Sequence, residues 1–205
     1  MSEILTGIAE NIGDLLSFFV TIALLQNIVL TTAFGSSVVL NIVRKPKTIW
    51  LFTAILTVFS VLTVLIAYPL DGLLGTAVSN YWRPLMMVGI TVVLYVIMTL
   101  ILMRAFPAFY RRVSNLLPVA AFNNLVLGIA LVCNVQFASS LGGIIGLAFG
   151  SCLGFGLLTW ITAEGIERLD NPDMPAAFRG MPSTLVYLGL LALALMGFTS
   201  NFSLI

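Results

Sequence analysis

The stretch QNIVL at residues 26–30 returns 97 positions later as NNLVL at residues 123–127. Each copy lies inside an apolar run that is long enough to cross a membrane. A polar amide pair is unusual there, because a buried amide costs free energy unless it is hydrogen-bonded. Two copies at matching places predict an internal duplication, with one polar locus in each half of the chain. Such an arrangement is typical of transport or relay proteins.

The composition predicts an integral membrane protein made of a single membrane domain over residues 1–205. Hydrophobic residues make up 60% of the chain, charged residues make up 8%, and the mean hydropathy is +1.12. A soluble domain carries about 25% charged residues. The net charge of +1 gives no indication of nucleic acid as a partner. The chain has no histidine and only two cysteines, which excludes the usual zinc, haem and Ser-His-Asp sites.

Six apolar runs are long enough to span a bilayer, which requires about 20 residues. They cover residues 12–43, 48–69, 84–106, 115–137, 140–163 and 182–201. A basic stretch at 44–47 follows the first run, and a predicted turn at Pro69-Leu70-Asp71-Gly72 closes the second. A loop of mixed charge at 164–179 separates the last two runs, and it is either a solvated surface or a docking face.

The basic residues predict the orientation of these spans. If the N-terminus lies outside, eight of the nine basic residues fall in inner loops. These are Arg44, Lys45, Lys47, Arg104, Arg111, Arg112, Arg168 and Arg179. Only Arg83 is left outside, which is a strong positive-inside pattern. We therefore expect a multi-pass protein of the prokaryotic plasma (inner) membrane with both termini outside.

The first run is long for a single straight span, at about 30 residues against the usual 20. It is interpreted either as two half-helices that meet at a polar middle or as one long tilted helix. Each half of the chain holds three spans, an odd number, so the two halves must lie in opposite orientations. The predicted fold is therefore an all-α membrane protein of six transmembrane helices in two inverted three-helix repeats, 12–106 and 115–201. Helices 1 and 4 are predicted to be broken at mid-membrane.

Polar side chains near the two repeated stretches form the candidate midplane site. They are Gln26, Asn27, Thr31, Thr32, Ser37, Asn123 and Asn124. The amide groups can bind a polar solute or an ion, or they can simply hold neighbouring helices together. No Asp or Glu lies in the middle of a span, which argues against an ion pump based on carboxylates. No residue of the chain is predicted to be catalytic, so its status as an enzyme is left open.

Four glycines at a spacing of four residues mark one face of the fifth run. They are Gly142, Gly146, Gly150 and Gly154. Such a face lets another backbone approach closely. It serves tight packing, within the chain or with a partner protein, or it is a seam along which a helix slides.

Several short motifs identify a family that the chain resembles. They comprise Asn27 to Leu30 with Gly35, Leu117-Pro118, Asn123 with Val126-Leu127-Gly128, Glu167-Arg168-Leu169, Asp173, Pro175-Ala176, Phe178-Arg179-Gly180 and Met196-Gly197-Phe198. On these residues the chain resembles the membrane subunits of the Rnf and Nqr ion-translocating electron-transport complexes, specifically the RnfA/NqrE type. The resemblance implies six spans, inverted halves and outward termini. It also implies a homodimer or a heterodimer with a related six-helix subunit, and further subunits of an electron-transport complex.

The chain departs from this family at the positions that hold its cofactor. In the family, each broken helix supplies a cysteine, and two subunits together bind a 2Fe–2S cluster. Here those positions are Ser37 and Asn124. Iron–sulfur clusters require thiolate or, in some cases, imidazole ligands, so we expect no cofactor and no metal in this chain.

Two functions remain open on the sequence. The first is a membrane subunit of an electron-transport complex in a variant without the iron–sulfur cluster. The second is a homodimeric transporter or channel that carries a small solute or ion through the midplane polar site.

Overall fold

The regular structure is helical throughout the described part of the chain. The computed structural model describes residues 36–43, 46–136, 141–169, 175 and 178–202. The helices are α1 (Ser36–Ile42), α2 (Ile49–Ala105), α3 (Pro107–Val113), α4 (Leu117–Ala121), α5 (Asn124–Gln136), α6 (Leu141–Leu169) and α7 (Met181–Phe202). A short 3-10 turn at Pro46–Thr48 leads into α2. The prediction of an all-α protein is confirmed.

Membrane-length apolar helices lie where the sequence predicts them. Ile49–Leu70, Trp82–Ala105 and Gly142–Arg168 are long and apolar enough to cross a bilayer, and they match the second, third and fifth predicted runs. The fourth run forms a bent pair with the helix before it, Pro107–Val113 and Leu117–Val132, at an angle of 68°. The last run is α7, whose apolar part is Met181–Ala194. The first run lies outside the described residues except for its end, which is α1.

The predicted turn at residues 69–72 is wrong. The backbone stays helical from Ile49 to Ala105, with Pro69 and Pro84 inside the helix. Proline removes one backbone hydrogen bond and bends a helix, but apolar helices of membrane proteins tolerate it because neighbouring groups satisfy the freed carbonyl. The second and third predicted runs are therefore two apolar segments of α2.

Helix α6 is the most enclosed of the three clear spans. In its most apolar stretch, 67% of the residues are buried, compared with 44% in that of Ile49–Leu70 and 17% in that of Trp82–Ala105. It packs on the first segment of α2, whose core side chains are Ile49, Phe52, Leu56 and Phe59. These recur every three or four residues and so share one helix face. The rings of Phe52 and Phe155 lie 5.8 Å apart between centroids.

The first segment of α2 and α6 run antiparallel. Thr53 lies opposite Gly156, whereas Ser60, further along α2, contacts Cys152, which comes earlier in α6. A Cβ atom placed on Gly156 would lie 2.9 Å from both Cγ2 and Oγ1 of Thr53. The Thr53 hydroxyl donates to the carbonyl oxygen of Ile49 at 2.9 Å, which holds this β-branched side chain in place. Glycine at 156 therefore sets how closely the two helices approach.

Substitution of Gly156 by alanine is expected to destabilise the fold by about 1–3 kcal/mol, because the added methyl group overpacks the contact with Thr53. The measurement is thermal or SDS-induced unfolding of the purified protein in detergent. The matched control is Gly89→Ala, since a Cβ at Gly89 meets no atom within 4 Å. Equal stability of the two variants would contradict the close approach described here.

Candidate functional site

The fourth predicted run is interrupted at Phe122 and Asn123, and the position of this interruption at mid-membrane stays a prediction. Helix α4 ends at Ala121 and α5 begins at Asn124. The N–H of Phe122 donates to the carbonyl oxygen of Pro118 at 3.0 Å. The carbonyl oxygen of Asn123 accepts from the N–H of Val126, also at 3.0 Å. The chain therefore leaves one helix and enters the next with only two residues between them.

Asn123 is the N-cap of α5. Its Oδ1 accepts a hydrogen bond from the backbone N–H of Leu125 at 3.1 Å. Asparagine is among the best residues for this position, because its short side chain reaches the backbone N–H groups that have no partner within the helix. The sequence placed Asn123 in the polar site, and the structure gives this residue a capping role that the repeated stretch alone did not indicate.

The Asn123 side chain also carries an amide nitrogen, Nδ2, which the helix cap does not use. The residue is only 2% exposed, and its Nδ2 has no hydrogen-bond partner among the described residues. A buried donor without a partner costs about 1–3 kcal/mol. Because Oδ1 is engaged at the start of α5, Nδ2 is held beside the same helix end. The break thus presents a buried donor, held in place by the cap, that fits an acceptor such as a carbonyl oxygen, a water molecule or an anion.

The other residues of the predicted midplane site are either not buried as Asn123 is, or lie outside the described residues. Asn124 is the first residue of α5 and is exposed. Ser37 is the second residue of α1, and its side chain lies outside the described residues. Four more also lie outside them: Gln26, Asn27, Thr31 and Thr32. The structure therefore places Asn123 and Asn124 next to each other at the break, one buried and one exposed, and their meeting with the first repeated stretch stays a prediction.

All four glycines of the predicted packing face are buried, namely Gly142, Gly146, Gly150 and Gly154. Burial on the most enclosed helix agrees with close packing of this face. The structure gives close contacts for two other glycines of α6, Gly156 against Thr53 and Gly165 against Tyr187. The role of the four predicted glycines stays a prediction.

A second group of buried polar side chains lies between α2 and α6. The thiol of Cys152 donates to Oγ of Ser60 at 3.2 Å. On the same two helices, Oγ1 of Thr63 and Oγ of Ser151 are also buried, and they have no hydrogen-bond partner in the part of the chain that the structure describes. A sequence signal for this group does exist, since Thr53, Ser60 and Thr63 recur at helical spacing within an apolar run.

Among the described residues, no group of three or more His, Cys, Asp or Glu side chains is arranged to hold a metal ion. The described cysteine thiol, that of Cys152, is buried and bound to Ser60 rather than directed at the break.

These features define a polytopic helical membrane protein with an apolar helix interrupted at a buried asparagine. Residues 15–201 match the family model described as "Rnf-Nqr subunit, membrane protein". The chain belongs to the Rnf-Nqr family of integral membrane subunits, which confirms the resemblance noted in the sequence.

Known relatives cover almost the whole chain. It is 32% identical over 182 residues to the RnfA subunit of the ion-translocating oxidoreductase complex of Pasteurella multocida, across 88% of this chain and 94% of the relative. It is 32% identical over 189 residues to the protein of the same name from Histophilus somni, across 91% and 96%. It is 29% identical over 187 residues to that from Shigella flexneri, again across 91% and 96%.

Replacement of Asn123 by alanine is expected to cost about 1 kcal/mol of stability, because the N–H of Leu125 loses its cap. The matched control is Asn123→Ser, which keeps an oxygen able to cap the helix but removes Nδ2. The measurement is unfolding of both variants and of the unmodified protein in detergent. An alanine variant as stable as the serine variant would show that the hydrogen bond to Leu125 does not hold the break.

Proposed function

We propose that this chain is the RnfA-type membrane component of an ion-translocating oxidoreductase complex. The observation that carries the proposal is the match to proteins of that name along nearly their full length. Such proteins are parts of a complex, so we infer that this chain works with a related six-helix protein or a second copy of itself, and with further components of the complex. Within that complex, the role proposed for this chain is to form a scaffold and a path within the membrane.

We further propose the orientation predicted from the sequence and the six-span inverted repeat. The repeat requires the chain to reverse direction between Ile49–Leu70 and Trp82–Ala105, a reversal that the continuous helix α2 does not show. The antiparallel packing of Ile49–Leu70 on α6 supports the repeat, because the second spans of two inverted halves must run in opposite directions. The orientation rests on the sequence, in which eight of the nine basic residues fall in predicted inner loops. Both termini then face outward from a prokaryotic inner membrane.

The cluster carried by the family does not fit the residues that this chain offers. At one ligand position the chain has Asn124, an exposed amide that cannot act as a thiolate. The other position is Ser37. Cys152 is buried against Ser60 between α2 and α6, and Cys133 lies two and a half turns beyond Asn124 along α5. We therefore propose that this chain does not bind the iron–sulfur cluster and that any electron path in its complex does not pass through positions 37 and 124.

One observation favours a second function. The Nδ2 donor of Asn123 is buried at a helix break and has no partner within the described ranges, and helix breaks are where transporters of several folds bind their substrates. In this alternative, the chain is a homodimeric transporter or channel for a small solute or ion, and the midplane polar site is its path. The first function requires other proteins of a complex beside this chain in the membrane, whereas the second requires only a second copy of the chain.

Purification from native membranes separates these functions. A tagged chromosomal copy, extracted in mild detergent, is expected to retain different proteins, among them flavin-carrying and iron–sulfur-carrying ones, because the chain is a component of a complex. Mass spectrometry identifies the retained chains, and a tagged unrelated membrane protein is the control. Recovery of the chain only as a dimer of itself would contradict the complex and favour the transporter.

The purified chain is expected to contain no stoichiometric iron and to show no visible absorption from an iron–sulfur cluster, because positions 37 and 124 lack thiolates. The matched variant is Ser37→Cys with Asn124→Cys, which restores both thiolates and is expected to gain iron on anaerobic reconstitution. Iron content and absorption spectra are compared for the two proteins. Stoichiometric iron in the unmodified chain would overturn the proposal that the cluster is absent.

A further inference from the structure

A groove lies at the end of α6 where its apolar span finishes, and α7 forms its other wall. Its volume is about 230 Å³, and its lining residues are Trp160, Ile161, Glu164, Gly165, Arg168 and Tyr187. None of these residues belongs to the break at Asn123 or to the seam between α2 and α6. The groove is therefore separate from the candidate site described above.

Gly165 shapes the floor of this groove. A Cβ atom placed on Gly165 would overlap the Cζ, Cε1 and hydroxyl oxygen atoms of Tyr187. The tyrosine ring therefore lies directly against the backbone of α6, and it reaches this position only because residue 165 has no side chain. The ring and the indole of Trp160 give the groove two aromatic walls.

Arg168 and Glu164 form an ion pair at the rim of the groove. The guanidinium of Arg168 lies 4.0 Å from a carboxylate oxygen of Glu164, one helical turn before it. Both side chains are open to a ligand, since Arg168 is 82% exposed and Glu164 is 60% exposed. Their charges cancel, so the rim has no net attraction for a purely anionic group. A ligand that carries both charges can pair with each of them.

The surroundings of the groove are those of a lipid surface at its polar boundary. The apolar span Gly142–Arg168 ends here, and Trp and Tyr are the residues enriched at the depth of lipid headgroups. Trp160 is 50% exposed. Exposed aliphatic side chains, Ile161, Val186 and Leu190, continue from the groove along α6 and α7. They offer acyl chains a surface below a bound headgroup.

We propose that this groove binds the headgroup of a zwitterionic phospholipid of the phosphatidylethanolamine class. The phosphate pairs with the guanidinium of Arg168, and the ammonium donates to the carboxylate of Glu164. The ammonium also lies near the aromatic faces of Trp160 and Tyr187, which attract cations. An anionic headgroup gains less, because Glu164 repels the same phosphate that Arg168 attracts.

The test uses the full chain purified in mild detergent and native mass spectrometry. The protein is offered phosphatidylethanolamine, phosphatidylcholine and phosphatidylglycerol at equal concentrations. The unmodified chain is expected to retain phosphatidylethanolamine roughly two- to five-fold over phosphatidylglycerol, which is the scale of an exposed ion pair. Arg168→Gln is expected to lower the retention of both lipids, because each loses its phosphate partner, and Glu164→Gln is expected to shift the preference towards phosphatidylglycerol.

Gly165→Ala tests the shape of the groove, because the added methyl group displaces Tyr187. Its matched control is Gly189→Ala on α7, where a Cβ meets no atom within 4 Å. Retention is expected to fall in the first variant and to stay unchanged in the second. Arg168→Gln lies at an exposed position, so its result stands even if Gly165→Ala fails to fold.

Equal retention of the zwitterionic and anionic lipids by the unmodified chain would overturn the proposal. Unchanged lipid retention in Arg168→Gln would overturn it as well. If either groove variant instead loses co-purifying proteins while its lipids stay the same, the groove is a protein-docking face and not a lipid site.

Discussion

A helix that stops inside an apolar environment leaves backbone N–H and C=O groups that no water can satisfy. The interruption between α4 and α5 is stable because Asn123 supplies an acceptor for one of these groups, the N–H of Leu125. The same side chain then carries a buried donor on its other atom. Asn123 is therefore required to form the break and also gives the break its buried hydrogen-bond donor. The candidate site, and the proposals that use it, depend on this double role.

The crossing of α2 and α6 shows how this protein buries hydroxyl groups at low cost. The hydroxyls of Thr53, Thr159 and Thr162 each donate to the carbonyl oxygen four residues earlier in their own helix, at 2.7–2.9 Å. These threonines thereby satisfy their hydroxyls locally and pack as apolar residues. Ser60 differs because its oxygen accepts from the Cys152 thiol on the facing helix. Polar residues in a span are thus of two kinds, and only those bonded across helices, or without a partner, mark a place where helices or ligands meet.

Much of the architecture could be predicted from the sequence because a bilayer restricts the choices. Apolar length and composition alone located Trp82–Ala105 and Gly142–Arg168 within two or three residues at most ends. The amide pair located the interruption at Asn123. The predicted turn at Pro69 failed because proline weakens a helix without ending it, and hydropathy does not measure that difference. The sequence pattern therefore predicted the positions of the helices more accurately than the connections between them.

The site was less predictable, for a physical reason. The two asparagines at 123 and 124 have the same chemistry, yet one is buried as a cap and the other is exposed. Their difference arises from where the helix begins, which neither residue type nor spacing determines by itself. Likewise, the groove at Gly165 depends on a contact with Tyr187 from another helix. Contacts between elements distant in sequence decide such features, and a single chain does not reveal them.

The separation of these two asparagines has a consequence for how the family can diversify. Position 123 maintains the architecture of the break, whereas position 124 only displays a side chain at its surface. A change of chemistry at 124 therefore leaves the cap on α5 intact, and the fold does not have to be rebuilt when the displayed group changes. The group displayed at the break can therefore change in a single substitution, and the folded membrane scaffold is kept for another activity to be selected on it.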